Sequence, residues 1–191
     1  YADSACDIEF NFPFGFKELE GIHSRTDFDL KQHEEFSGKK LRYYDNEINE
    51  SYVPYVVETS IGLDRMFLAI LSSSYNEEEL ENNTSRVVLK IPPFLAPYKL
   101  AVLPLVKKDG LSKFAKKLFS ALKLKYNATY DEKDAIGRRY RRQDSIGTPI
   151  CITVDHETLI DGSVTLRNRD TMLQNRVKIE DLNKNIDPLV N

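Results

Sequence analysis

The sequence predicts an α/β fold, and three observations carry that prediction. From Val87 onward, short runs rich in apolar and β-branched residues alternate with stretches whose apolar residues recur at helical spacing. Pro92, Pro93 and Pro97 separate two of those runs, where no helix can pass. The composition also shifts near residue 85, which divides 191 residues into two small domains. With 41% apolar residues the chain can bury a sizeable core, so a disordered tail is excluded.

In chain order, residues 52–58 are rich in β-branched and aromatic side chains and read as a strand that ends at Thr59-Ser60-Ile61-Gly62. Leu63, Met66, Phe67 and Ile70 then fall on one helical stripe, so a helix is expected over 62–72 with that stripe packed inward. Residues 72–85 hold almost nothing apolar and read as an acidic connector. The expected division is therefore 1–74, a linker 75–85, and 86–191. Strands are expected at 87–91 and 100–105, followed by a helix carrying Leu111, Ala115, Leu118, Phe119 and Leu122. A strand at 128–130, a basic helix at 132–143, and strands at 150–155 and 164–168 complete the series. The order β, α, β, α, β, β implies a compact α/β domain with a mixed sheet.

Charge separates the two halves. The chain as a whole carries -3, which by itself points to neither nucleic acid nor a membrane. Residues 1–85, however, hold 7 basic and 18 acidic side chains, whereas 86–142 hold 15 basic and 4 acidic. A balance of +11 in one segment suits a polyanion, although charge runs mostly keep surfaces wet and a solvated helix face also accounts for it. No run approaches the roughly 18 apolar residues of a membrane span, and Asp3, Asp7 and Glu9 stand where a signal peptide would be basic and then apolar. The chain reads as soluble, unexported and cytoplasmic, and the lack of a Met before Tyr1 suggests a fragment. Cys6 and Cys151 lie far apart and are expected to be packed thiols in a reducing compartment. His23, His33 and His156 lack metal-ligand spacing with either cysteine, so no metal-binding side chains are assigned.

Two segments could carry chemistry. Glu58-Thr59-Ser60-Ile61-Gly62-Leu63-Asp64-Arg65 joins a strand to a helix, with a carboxylate and a hydroxyl at the strand end and an Arg in the first helical turn. Glu58 can accept hydrogen bonds from an ammonium group, while Gly62, the helix N-terminus and Arg65 favour a phosphate. A capped helix whose Arg65 pairs with a surface acid fits as well. In Phe14 to Asp27, Glu18 and Glu20 are expected to share one strand face, as a cation site, an acid and base, or solvated alternation of a half-buried strand.

Several stretches together resemble a family. Glu18-Leu19-Glu20-Gly21-Ile22-His23-Ser24-Arg25-Thr26-Asp27-Phe28-Asp29-Leu30 and Tyr52-Val53-Pro54-Tyr55-Val56-Val57-Glu58-Thr59-Ser60-Ile61-Gly62-Leu63-Asp64-Arg65 resemble the glycyl-tRNA synthetases of the homodimeric class II type. Residues 95–105, 134–144 and 164–170 are similar to the anticodon-binding domain shared by the glycine, histidine, proline and threonine enzymes. The resemblance implies that 1–74 close a class II catalytic domain, an antiparallel sheet with helices, whose first two signature motifs would precede Tyr1. It implies an ATP site at Glu18, Leu19, Gly62, Leu63, Asp64 and Arg65, and a glycine site at Glu20, Glu58, Thr59, Ser60, Ile61 and Gly62. Arg65 and Glu58 would be the catalytic pair. Thr59 stands where the family usually has Pro, which removes a conformational restraint and leaves Glu58, Ser60 and Arg65 in place.

The implied reaction joins the glycine carboxylate to the α-phosphate of ATP, expels pyrophosphate, and passes the acyl group to the 3′ end of glycine tRNA. Mg2+ would share the phosphate charge with Arg65, and no nucleophilic side chain is needed. On the basic helix, Arg138, Arg139, Arg141 and Arg142 with Tyr140 offer phosphate contacts and a stacking ring for anticodon bases. A helix cannot point all four arginines one way, so two are expected on RNA and the others on acids such as Asp134 or Asp144. Arg167 and Arg169 share a strand face as secondary candidates. Glycine, ATP and glycine tRNA are the implied partners of a homodimeric enzyme, with no membrane. Two rivals are a non-catalytic nucleic-acid-binding relative, such as a polymerase accessory subunit, and a free-standing RNA-binding module from Arg86 onward.

Overall fold

The computed structural model describes residues 2–80 and 84–190. They form two units, residues 1–72 and 73–191. In the first unit, β1 (Ser4–Phe12) and β2 (Gly15–Ser24) form a hairpin, followed by α1 (Phe28–Ser37), a small hairpin of β3 (Tyr43–Asp45) and β4 (Glu50–Tyr52), and β5 (Val57–Ile61). Strand β5 joins the free edge of β2, giving an antiparallel sheet in the order β1-β2-β5. The strand expected over 52–58 is thus split, because Pro54 has no N–H to give a ladder.

Helix α2 (Leu63–Ser74) follows β5 directly. Its expected inward stripe is only partly inward. Leu63 and Phe67 are 81% and 60% exposed, whereas Ala69 is buried. Among the described residues of this unit only Phe12 and Ala69 are fully buried hydrophobics, so no core exists here for the whole stripe to join.

The second unit opens with β6 (Tyr75–Leu80) and β7 (Thr84–Leu89), an antiparallel pair. The segment expected as a connector is therefore a strand up to Leu80, and residues 81–83 of that expectation lie outside the described residues. Its acidic run is held by pairing: Glu78 stands opposite Arg86 and makes an ion pair with it at 2.5 Å.

Beyond a single 3-10 turn at Pro93–Leu95 come β8 (Leu100–Pro104), α3 (Leu111–Leu122), β9 (Ala128–Tyr130), α4 (Ile136–Ser145), β10 (Ile150–Val154), α5 (His156–Asp161), β11 (Ser163–Asn168), β12 (Gln174–Lys178) and α6 (Leu182–Val190). The sheet order is β12-β11-β10-β8-β9, with the β10–β8 and β8–β9 pairings parallel and the β12–β11 and β11–β10 pairings antiparallel, a mixed sheet as the element order predicts. Period-two alternation splits β8 between two faces. Leu100 and Val102 meet Leu111, Ala115, Leu118 and Leu122 of α3 and Leu182, Ile186 and Val190 of α6, while Ala101, Leu103 and Cys151 meet Ile136 and Tyr140 of α4. Cys151 is buried and its thiol is pushed up to about 12 by burial; Cys6, expected to be packed, is exposed on the hairpin. Among the described residues no helix is long and apolar enough to cross a membrane.

Candidate functional site

The first unit builds its site on an irregularity in β2. Ile8 pairs with Glu20 and the next residue, Glu9, pairs with Glu18, so Leu19 is an extra residue in the ladder. A bulge of this kind reverses the alternation of side chains on one side of it. Glu18 and Glu20 therefore do not share a face, contrary to the expectation from period two. Glu18 joins the face of Gly21: its Oε1 lies 3.6 Å from where a Cβ on Gly21 would sit, beside Asp7 Oδ1 at 3.7 Å and His23 Cε1 at 3.0 Å. Glycine leaves the room these side chains occupy.

Strand β5 supplies the rest of that face. Ser60 stands opposite Gly21 and Glu58 opposite His23, whereas Ile61 faces Glu20 and Thr59 faces Ile22. The structure thus gathers Glu18, Glu58 and Ser60 on one face and places Glu20, Thr59 and Ile61 on the other.

At the end of β5 the chain turns through Gly62 into α2, and the turn opens a cleft of about 380 Å³ lined by Glu18, Leu19, Ser60, Gly62, Leu63, Asp64 and Arg65. The residues expected around ATP are all here. Arg65 spans the cleft: its Nη1 donates to the Glu18 carbonyl at 2.5 Å and lies 3.8 Å from Glu18 Oε2, with the side chain 52% exposed. Arg65 therefore has an acidic neighbour and remains open to an incoming anion.

Glu58 is not isolated. Its Oε2 lies 2.9 Å from Arg25 Nη1, and the same guanidinium donates to both carboxylate oxygens of Asp29, from Nη2 at 2.7 Å and from Nε. The hydrogen bond to Asp29 holds the Arg25 guanidinium well above its usual range and, in return, holds the Asp29 carboxyl below its own.

In the second unit most of the arginines expected on RNA are occupied inside the protein. Arg139 is buried, donating from Nη1 to the Pro104 carbonyl, from Nη2 to the Asp134 carbonyl at 2.5 Å and from Nε to the Lys133 carbonyl at 3.1 Å. Arg167 is buried and makes a two-pronged pair with Asp144, at 2.7 and 3.0 Å, while Arg86 reaches Asp144 Oδ2 at 3.1 Å. Arg169, also buried, donates to the carbonyls of Ile91 and Gly147 and pairs with Asp170. Five fixed N–H donors on each guanidinium demand this many acceptors once water is excluded.

Tyr140 was expected to stack on bases. Instead its hydroxyl shares a hydrogen bond with Thr153 Oγ1 at 2.6 Å, and the Arg167 guanidinium lies 4.7 Å from its ring centroid, so the ring has a protein partner already. Burial, chiefly, pushes its phenol up.

Arg142 pairs with Asp131 at 2.7 Å and Asp134 at 2.9 Å, and Arg141, still 45% exposed, stands 3.4 Å from Asp144. Arg138 is exposed. Lys107 and Lys108, which follow β8, and Lys133, which follows β9, are exposed as well, and no residue pattern singles them out. Lys107 and Lys108 come after Leu105 and Val106 beyond β8, at the carboxyl edge of the parallel strands where α/β sheets tend to bind ligands.

Residues 99–188 match the anticodon binding domain family. The chain is 54% identical over 179 residues to the glycine–tRNA ligase of Chlorobaculum tepidum, covering 94% of this chain and 38% of that protein. It is 52% identical over 184 residues to that of Borrelia hermsii, covering 95% and 41%, and 52% identical over 187 residues to that of Geobacillus thermodenitrificans, covering 98% and 40%. The chain thus spans about two fifths of the length of the curated relatives it matches. The RNA binding domain of threonyl-tRNA synthetase from Cryptosporidium parvum Iowa II shares the fold, with a TM-score of 0.67 at 18% identity over 97% of this chain and 42% of that one. Residues 99–188 are thus similar to the anticodon binding domain family, within a chain similar along nearly all its length to the C-terminal part of glycine–tRNA ligases.

Proposed function

We propose that this chain supplies the closing part of the catalytic domain and the anticodon-binding domain of a glycine–tRNA ligase, which works as a cytoplasmic homodimer, with the break between domains near Ser72 and Ser73. The observation that carries the reading is the cleft at the β5–α2 turn, where Glu18, Leu19, Ser60 and residues 62–65 converge beside Glu58. An exposed Arg65 at a helix start beside Gly62 fits the phosphates of ATP, and the open carboxylates of Glu18 and Asp64 are the oxygen ligands at hand for Mg2+. Bound there, Mg2+ supplies neutralisation of phosphate charge. Glu58 and Ser60 accept hydrogen bonds from the glycine ammonium, and the acidic face around them repels a competing anion. Positioning and charge do the chemistry, because the glycine carboxylate is itself the nucleophile.

For RNA, exposed cations at the carboxyl edge of the parallel strands, Lys107, Lys108, Lys133 and Arg138, replace the buried arginines, with the exposed Arg141 farther along α4. They bind phosphates of the anticodon stem-loop of glycine tRNA. A non-catalytic relative is not favoured, since the relatives at 52–54% identity are ligases.

The test replaces the matching stretch of the Chlorobaculum tepidum ligase by residues 1–191 and measures glycine-dependent pyrophosphate exchange. The chimera should exchange, and Arg65→Ala should slow it roughly 100-fold or more, as for other groups aimed at a developing charge. A folded chimera with no glycine-dependent exchange, beside an active parent, would overturn the reading.

A further inference from the structure

We infer that Arg25 is a positioning residue that fixes the Glu58 carboxylate for the amino group of the substrate, and that Asp29 in turn fixes Arg25. The inference rests on the function proposed above and adds to it a residue outside the cleft.

The backbone brings the three together. Arg25 follows β2, Asp29 lies in the first turn of α1 and Glu58 lies on β5. Arg25 N–H donates to the Val56 carbonyl at 2.9 Å and Val56 N–H to the Thr26 carbonyl at 2.8 Å, so the start of β5 is tied to the turn that carries Arg25. Thr26 holds a φ of +53° in that turn, in the left-handed region, which side-chain-bearing residues enter at a cost. The guanidinium divides its donors: Nε and Nη2 form a fork onto Asp29, and Nη1 reaches Glu58 Oε2 at 2.9 Å.

Charge and exposure fit the role. Arg25 and Asp29 are 22% and 27% exposed, while Glu58 is 39% exposed and so still open to a second donor. An Arg25–Glu58 pair alone would be neutral and would hold an ammonium poorly. With Asp29 the trio carries a formal -1, so orientation is gained without loss of the attraction. Glycine has no side chain to grip, and a fixed acceptor is the remaining means of placing its amino group. Lysine could not substitute, because a point charge on a flexible stem cannot fork onto one carboxylate while bonding another.

The experiment uses the whole ligase chimera with Arg25→Lys and, separately, Asp29→Asn, and reads KM for glycine and for ATP in pyrophosphate exchange together with the melting temperature. Arg25→Lys should raise KM for glycine roughly 10-fold, as expected for loss of a charge-assisted contact, and leave KM for ATP within about twofold. Asp29→Asn should move glycine in the same direction by less. An equal rise for both substrates, or none, from a variant that melts with its parent overturns the positioning role and leaves the ligase reading standing. An unsubstituted chimera without exchange overturns both.

Discussion

Arg65 in the first unit keeps 52% of its side chain exposed across an open cleft, while Arg86, Arg167 and Arg169 in the second are at most 3% exposed and bound to carboxylates and carbonyls. One residue type serves as a waiting cation in one region and as a structural rivet in the other. The difference lies in what surrounds it. The first unit buries almost no apolar surface and turns its charged groups outward along a narrow sheet, whereas the second closes a five-stranded sheet between helices and must give each guanidinium it encloses carboxylate or carbonyl acceptors. The +11 of residues 86–142 is therefore partly internal, and only its exposed fraction can act on a polyanion.

The comparison breaks first at Asp144. This carboxylate is fully buried and accepts from Arg167 twice and from Arg86 once, with Arg141 at 3.4 Å. Asp144→Ala leaves two buried guanidinium groups short of their counter-charge and should cost about 3–5 kcal/mol. Urea denaturation of the 191-residue chain reads it; a loss below about 1 kcal/mol would mean that the arginines find water and that the second unit is more open than it looks.

A smaller effect separates two left-handed glycines. Gly147 has φ +84° and a Cβ there would lie 2.7 Å from Ile91 Cγ2 and 3.2 Å from the Leu89 carbonyl, whereas Gly38, at φ +67°, has nothing within 4 Å. Gly147→Ala adds overpacking of about 1–3 kcal/mol to the conformational cost, and Gly38→Ala pays only the latter, about 1 kcal/mol. Equal losses for the two, measured by thermal melting, would show that the second unit yields as readily as the first.

What could be read without coordinates follows the range of the interactions concerned. Strands β8 and β10 and helix α3 announce themselves, because their apolar pattern is local: the strands are buried throughout and the helix along one stripe, Leu111, Ala115, Leu118 and Leu122. Strand β12, Gln174-Asn-Arg-Val-Lys178, is a largely exposed edge and has no such pattern. Strand β6 looks like a connector until Arg86, eight residues on, supplies the counter-charge for Glu78. In the site, the strand-to-helix joint at 58–65 is legible from residue types alone. The bulge at Leu19 is not, since it depends on the register between β1 and β2, and it alone decides that Glu18 rather than Glu20 faces Glu58. The burial of Arg167 and Arg169, both expected on RNA, is hidden for the same reason at longer range: Arg167 meets Asp144 23 residues away and Arg169 the Ile91 carbonyl 78 residues away.

The smallest expected change in stability sharpens the comparison most. Arg138 is exposed in the first turn of α4, one position before the buried Arg139. Replacing it by Ala removes no internal partner and should leave stability within about 0.5 kcal/mol. On RNA the expectation differs, because each phosphate neutralised contributes about 0.7 to 0.9 to the log–log slope of affinity against salt. Filter binding of glycine tRNA to the 191-residue chain at two salt concentrations should therefore show a shallower slope for Arg138→Ala, and a further drop when Lys107→Ala and Lys133→Ala are added. Arg167→Met should do the reverse, losing stability first and RNA only as the fold fails. If the triple variant binds with an unchanged slope, the carboxyl edge of the sheet is not the RNA face, and these exposed cations serve only to keep the surface wet.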